Sequence, residues 1–359
     1  MKSKSGLLPL SCATKAPSRR SELCTAALTV FLLASNMHAQ AQGYKIIDLG
    51  TLKGTVKSVG YGLNNLGQAV GVSSNPTAAI ATLFSNGTTM NLNTLGADVS
   101  VATAVNGVGQ AVGYNFFDSN PNPVPRAFLY SNGSMTDIQS DSLFPSGTRA
   151  HGINSSGAIV GEGWLTSSSF HAFLYSGGRM VDLGGGYQAS ASAINDAGQI
   201  VGNGTTVGAF LYSNGKMVSL GVPFGANGSD ANAISSTGQI AGVIYRSGQP
   251  SHAAHYSNGS WADLGAFPGA SGTSAAGINA AGQIVGTAVF PIKSYHPFLP
   301  GKHVGFIYRN GALIDLNTIT PSSSGFIITD AVGINDSGQI LCTATNTTGN
   351  AHAVLIAPQ

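Results

Sequence analysis

One short phrase dominates the sequence. "AINDAGQIVG" (193–202) returns in close variants whose glycines stand at positions 67, 109, 157, 198, 238, 282 and 338, at spacings of 40 to 56 residues. A chain written this way folds as copies of one unit, each unable to bury its apolar faces alone, so that neighbouring copies must stack. The unit is not helical. Beyond residue 41 no apolar residues recur at three-and-four spacing, and glycine-containing turns cut every copy.

The fourth copy shows the plan: "ASAIN" (191–195), a turn, "QIVGNG" (199–204), "GAFLY" (208–212), the turn "SNG" and "KMVSLG" (216–221). These are two consecutive hairpins. Asn195 and Gly198 bracket the first turn, because Asn bonds its own backbone onward and Gly accepts positive φ; Asn214-Gly215 is a strong two-residue hairpin signal. Asn-Gly recurs at 86, 132, 258 and 310, with Gly177-Gly178 as the substitute. In "AFLY" Phe210 and Tyr212 face one side and Leu211 the other, so both faces of each sheet are apolar and need covering.

The two ends of the chain separate a closed ring from an open stack. The last copy reads "AVGIN" (331–335), "QILCTAT" (339–345), "AHAVLIAPQ" (351–359) and has no fourth strand, whereas "YKIIDLG" (44–50) matches the fourth-strand text "RMVDLG" (179–184). Pairing the first strand into the last copy closes a ring and removes the open edge. The sequence therefore predicts an all-β, seven-bladed β-propeller of four-stranded blades over 42–359. Its blades span about 57–96, 97–140, 146–185, 187–222, 228–266, 272–318, and 329–359 completed by 43–50. A parallel β-solenoid is the alternative.

"HAFLYSGGRMVDLG" (171–184) followed by "SAINDAGQIVG" (192–202) resembles the HAF-type bacterial extracellular repeat family, over nearly all of the chain beyond residue 41. The resemblance implies an exported repeat protein and brings no catalytic residues with it. "HAAHYSNG" and "VGFIYRNG" in the fifth and sixth copies depart from the family text.

Residues 1–41 read as a signal peptide: five Lys/Arg, the apolar run 23–35, and a small-residue cleavage site at 39–41. The run is too short to span a bilayer stably, so no membrane insertion is expected after cleavage. Without this segment 11 basic residues face 13 acidic ones. The net charge of about −2 gives no attraction to nucleic acid. Secreted or periplasmic localisation follows. Cys342 is then the one remaining cysteine, which excludes an intrachain disulfide.

Internal comparison of the copies singles out paired charges. A basic residue opens the third strand at Arg126, His171 and His252, and eleven residues later stand Asp137, Asp182 and Asp263. Gly208 with Ser219, and Ile80 with Asn91, show both charges vanishing together; Val304 with Asp315 is the exception. In a closed ring His352 pairs with Asp48. Each couple is expected to form a cross-strand ion pair or hydrogen bond.

The variable connections, 115–125 and 288–303, join second to third strands and fall on the rim opposite the repeated turns, where binding is expected. One sector offers Phe116, Phe117, Asp118, Asp141, Phe144, Glu162 and Trp164. A carboxylate beside an indole suits a sugar, whose hydroxyls bond the acid while its apolar face stacks on the ring. The plainer reading packs Trp164 between blades. The second sector offers Phe290, Lys293, Tyr295, His296, Phe298, Lys302 and His303, or else forms a self-packed lid. No nucleophile elbow, zinc, phosphate-loop or calcium motif is present, so no cofactor or metal is expected. The favoured function is a binding module for a glycan or an extracytoplasmic protein. A glycan-active hydrolase or lyase using Asp118, Asp141 and Glu162, and a structural envelope component, are the alternatives.

Overall fold

The computed structural model describes residues 43–359 except 94, 118–123, 187, 224 and 292–300. The fold is all-β and antiparallel within each sheet. After β1 (Tyr44–Asp48), the first sheet holds β2 (Lys57–Leu63), β3 (Ala69–Asn75), β4 (Ala78–Ser85) and β5 (Thr88–Asn91). The second holds β6 (Val99–Val105), β7 (Ala111–Phe116), β8 (Arg126–Ser131) and β9 (Ser134–Asp137). The third holds β10 (Thr148–Ile153), β11 (Ile159–Trp164), β12 (Phe170–Ser176) and β13 (Arg179–Gly184). The fourth is β14 (Ala189–Ile194), β15 (Ile200–Gly204), β16 (Gly208–Ser213) and β17 (Lys216–Ser219). The fifth is β18 (Gly228–Ile234), β19 (Ile240–Tyr245), β20 (His252–Ser257) and β21 (Ser260–Asp263). In the sixth, β22 (Gly272–Ile278), β23 (Ile284–Phe290), β24 (Lys302–Arg309) and β25 (Ala312–Asp315) run into a single helical turn, α1 (Leu316–Ile319). The last comprises β26 (Ile327–Ile334), β27 (Ile340–Thr345) and β28 (Ala351–Pro358), with β1 as its fourth strand. One parallel pairing, Ala79 with Val99, joins the first two sheets.

The pairing of β1 with β28 runs from Tyr44 opposite Pro358 to Asp48 opposite Val354. The N-terminal strand thus stands where the other sheets have their fourth strand. The outer hairpins turn on Asn-Gly, as at Asn214 (φ 52) and Gly215 (φ 77), the double positive φ that matches the twist of the flanking strands.

The "IVG" and "AF" texts supply both faces of each sheet. Phe173 and Ile159 pack toward the second sheet, while Ala172 and Val160 pack toward the fourth. A small residue on one face beside a large one on the other lets successive sheets interdigitate at ordinary packing density. Ala69 and Phe84 of the first sheet pack in the same manner against Leu341 and Ala353 of the last.

The repeated Asn does more than turn the chain. Asn195 Oδ1 accepts from the amides of Ala197 and Gln199, while Nδ2 donates to Gln199 Oε1 and to the Ser235 carbonyl of the next sheet at 3.1 Å. Equivalent bonds run from Asn64 to Asn106, from Asn106 to Asn154, from Asn154 to Asn195 and from Asn279 to Asn335. Asn335 donates to the Asn64 carbonyl at 3.1 Å, returning to the first sheet. Ser235 stands in the series where the other copies have Asn, and a hydroxyl cannot reach onward as an amide does.

Glycine in the second strand has a steric cause. A Cβ at Gly71 or Gly161 would run into the carbonyl oxygen of Val59 or Arg149 on the inner strand. Cys342 occupies that position in the last sheet, fully buried, where β26 carries a second register shift between Ile328 and Asp330.

The charged couples are in contact. Arg126 Nε lies 2.6 Å from Asp137, His171 Nδ1 2.9 Å from Asp182, His252 Nδ1 2.9 Å from Asp263 and His352 Nδ1 3.0 Å from Asp48. Each aspartate also accepts an amide two residues on, as Gly184 N does to Asp182 at 2.7 Å, which accounts for the Asp-Leu-Gly text. The exception has its own explanation: Asp315 caps α1 through Asn317 N at 2.8 Å. Because the couples are partly exposed, a double-mutant cycle on His171→Gln and Asp182→Asn is expected to give a favourable coupling of about 0.2–1 kcal/mol. Additive losses would remove the interaction.

Burial raises the Asp263 carboxyl, but hydrogen bonds from His252 and Gly265 and the charges of His252 and Arg246 outweigh it and hold the pKa below its ordinary value. A depressed folded-state pKa contributes stability above the unfolded pKa that is lost as pH falls through the folded one. Asp263→Asn is therefore expected to lose its destabilising effect in urea melts as pH drops below about 4. An unchanged deficit at low pH would contradict this.

Candidate functional site

In antiparallel four-stranded sheets the first-to-second and third-to-fourth turns share one rim, leaving second-to-third and sheet-to-sheet connections on the other. The candidate site lies toward that second rim, where the second, third and fourth sheets meet. β10 begins "TRAH". Its Ala150 is buried in the core, while Arg149 and His151 extend away from it. Arg149 stands directly opposite Glu162 in the β10–β11 register.

Glu162 is 9% exposed, with Oε1 3.7 Å from Arg149 Nη1 and 3.8 Å from His151 Nε2. The Arg149 guanidinium lies 4.9 Å from the Trp164 ring, 5.1 Å from Tyr114 and 5.5 Å from Phe116. Cation–π attraction and the carboxylate together fix this arginine. His151 Nδ1 lies 3.2 Å from the Ala191 carbonyl and 3.3 Å from Ser190 Oγ on β14. Burial, aided by the Arg149 charge, lowers the His151 pKa against the opposing pull of Glu162 and of the Ala191 carbonyl.

Glu162 opens onto a cavity of about 330 Å³ between the third and fourth sheets, lined also by Phe170, Gln188, Ser190, Asn203, Gly204 and Thr205. His151 faces a different cavity, of about 250 Å³, lined by the equivalent inner-strand residues Tyr61, Thr103, Ser192, Asn232, Ala276 and Val332. Glu162 and His151 therefore form part of the wall between the central space and the lateral pocket.

The sequence-derived candidates divide. Phe116, Glu162 and Trp164 come together around Arg149. Trp164 presents a ring already covered by the guanidinium and packed 5.6 Å from Phe170, so Phe170 is the aromatic wall of the pocket. Phe117 is half-buried just past β7. Asp141 is exposed and contacts Arg126 at 3.4 Å, a different cation from the partner of Glu162. Phe144 is fully buried against Gly163, where a Cβ would collide with its ring; it is a core residue rather than part of the rim. His303 Nδ1 lies 3.1 Å from Asp330 in the sixth and last sheets. Asp118, Lys293, Tyr295, His296 and Phe298 lie outside the described residues.

Arg149, His151, Ser190 and Asn203 escaped the reading of loops because they sit on strands. The available signal was the inner-strand text itself: "TRAHGIN" carries two basic residues where the fourth copy has "ASASAIN". Among the described residues no group of three or more His, Cys, Asp or Glu side chains gathers in a metal-binding arrangement, and no helix is long and apolar enough to cross a membrane.

No family model and no curated protein matches this chain. Solved structures do resemble it. The β-propeller domain of the Trilobed protease from Pyrococcus furiosus, described as having an open velcro topology, aligns with a TM-score of 0.55 at 11% identity, covering 84% of this chain and 94% of that one. An oligogalacturonate lyase from Vibrio parahaemolyticus aligns with a TM-score of 0.54 at 10% identity, over 87% of this chain and 93% of that one. A prolyl endopeptidase aligns with a TM-score of 0.53 at 10% identity, over 85% of this chain and half of its own length. At such identities the likeness shows the fold alone, a β-propeller.

Proposed function

We propose that this chain is an exported, closed seven-bladed propeller of the HAF-type repeat class that binds a glycan in the pocket beside Glu162. Closure is supported by the β1–β28 pairing and by the Asn335 bond to the Asn64 carbonyl. The single observation that carries the glycan reading is the chemistry of the pocket. A buried carboxylate faces a cavity of about 330 Å³ whose remaining side chains are amides, hydroxyls and one phenyl ring. Asn203 and Thr205 are suited to sugar hydroxyls, and Phe170 to an apolar sugar face.

The charge of Glu162 is balanced by Arg149, so an uncharged ligand fits better than an ionic one. A hydrolase or lyase acting through Asp118, Asp141 and Glu162 is the weaker reading, since Asp141 and Glu162 are held by separate arginines. The test is a glycan array on the chain lacking residues 1–41, followed by calorimetry on the hits. Losing a hydrogen bond to a charged group costs about 1.5–3 kcal/mol. Glu162→Gln is therefore expected to weaken binding about 10- to 100-fold, with Asp141→Asn neutral. Unchanged affinity in Glu162→Gln would overturn the reading.

A further inference from the structure

We infer that His151 and Glu162 act as a pair, so that a proton taken up by the His151 imidazole weakens Glu162 as an acceptor for a ligand in the lateral pocket. The argument starts from the imidazole's two partners. The Ala191 carbonyl, 3.2 Å from Nδ1, is an acceptor only, so neutral His151 carries its proton on Nδ1. Ser190 Oγ, 3.3 Å from the same nitrogen, then accepts from it, and His151 does not activate this hydroxyl as a nucleophile.

The tautomer leaves Nε2 with a bare lone pair, 3.8 Å from Glu162 Oε1. Two acceptors confronting each other within a protein are unfavourable unless something between them donates. At neutral pH a ligand hydroxyl reaching Glu162 from the pocket meets that need. On acidification the proton enters at Nε2, the imidazolium donates to Glu162 Oε1, and that oxygen has one lone pair fewer and less negative charge to offer the ligand. Ligand and proton compete for one acceptor.

Among the described residues the charged and titratable groups around the pair are few, and Tyr61 on β2 lines the same central cavity as His151. Arg149 on β10 lies 3.7 Å from Glu162, and Tyr114 on β7 lies against the Arg149 guanidinium. The β14 side contributes only the Ser190 hydroxyl and the Ala191 carbonyl. Arg149 opposes protonation of His151 and Glu162 favours it, while burial keeps the imidazole neutral to a lower pH than usual. The consequence for binding rests on the glycan reading above; the state of the pair does not.

The deciding experiment needs no ligand. Histidine-selective ¹⁵N correlation spectra of the chain lacking residues 1–41 are followed from pH 4 to 9, with His151 assigned through His151→Gln. The expected result is the Nδ1–H tautomer at pH 8, with a midpoint that falls by about one pH unit in Glu162→Gln as the attracting charge is removed. The Nε2–H tautomer, or a midpoint indifferent to Glu162→Gln, would overturn the inference. Calorimetry with methyl β-glucoside separates this from the glycan reading. Binding several-fold weaker at pH 5 than at pH 8 is expected, flattened in His151→Gln. Failure of the glucoside and of every array glycan to bind at either pH, with the spectra as expected, would remove the glycan reading alone.

Discussion

Replacing Asn335 by alanine is expected to destabilise the fold by about 4 kcal/mol, because the lost amide leaves several buried partners unmatched at about 1–3 kcal/mol each. Its Oδ1 accepts from Gln339 N at 2.9 Å and from Ser337 Oγ at 2.8 Å; its Nδ2 donates to Gln339 Oε1 at 2.7 Å and to the Asn64 carbonyl at 3.1 Å. Asn335 is 3% exposed, so water does not replace these bonds in the folded state. The fall in Tm should be on the order of 10 °C. Ser235→Ala supplies the contrast. That side chain makes no bond to the following sheet, and its loss is expected to cost about 1 kcal/mol. Ser235→Asn is expected to stabilise by a similar amount, if the new amide reaches the Asn279 carbonyl as its six counterparts reach theirs. Thermal melts of the three variants check this, and equal losses for Asn335→Ala and Ser235→Ala would contradict the inter-sheet role of the amide.

Removing residues 43–49 is expected to cost on the order of 5 kcal/mol or more, through lost burial of apolar side chains and of the β1–β28 hydrogen bonds. Tyr44 is 3% exposed, and its hydroxyl accepts from Arg309 Nη1 at 3.0 Å, tying the strand to the sixth sheet as well as to the last. Asp48 would take with it the partner of His352. β28, which carries the buried Val354 and Ile356, would become an open edge and invite association with other chains. Urea unfolding together with size-exclusion chromatography measures both effects. A shortened chain with an unchanged urea midpoint and an unchanged elution volume would show that β1 is dispensable.

Much of the architecture could be read from turn chemistry and from text matching. Asn214-Gly215 marks a hairpin because both residues must take positive φ, and "YKIIDLG" announced its place because it shares the fourth-strand wording. The inter-sheet bond of Asn195 was not readable. Its partner is a backbone carbonyl about forty residues on, and carbonyls carry no side-chain signature. Phe144 looked like a rim aromatic because the space for its ring is created by the missing Cβ of Gly163, a three-dimensional fact. The site was half readable. Glu162 follows from the carboxylate-beside-indole text, whereas Arg149 and His151 lie on an inner strand rather than on a variable connection and define its electrostatics.

The proposed closure of the ring rests on the pairing of β1 with β28, and one cross-strand proton contact tests it. Leu49 N donates to the Ala353 carbonyl and Gln359 N to the Gly43 carbonyl, so alternate pairs between them, including Ile46 opposite Ile356, are not hydrogen-bonded to each other. Such pairs bring their Cα atoms to about 4.5 Å. In isotope-labelled protein lacking residues 1–41, a strong Hα–Hα nuclear Overhauser effect between Ile46 and Ile356 is expected. With both residues assigned, the absence of that cross-peak would contradict the closed ring.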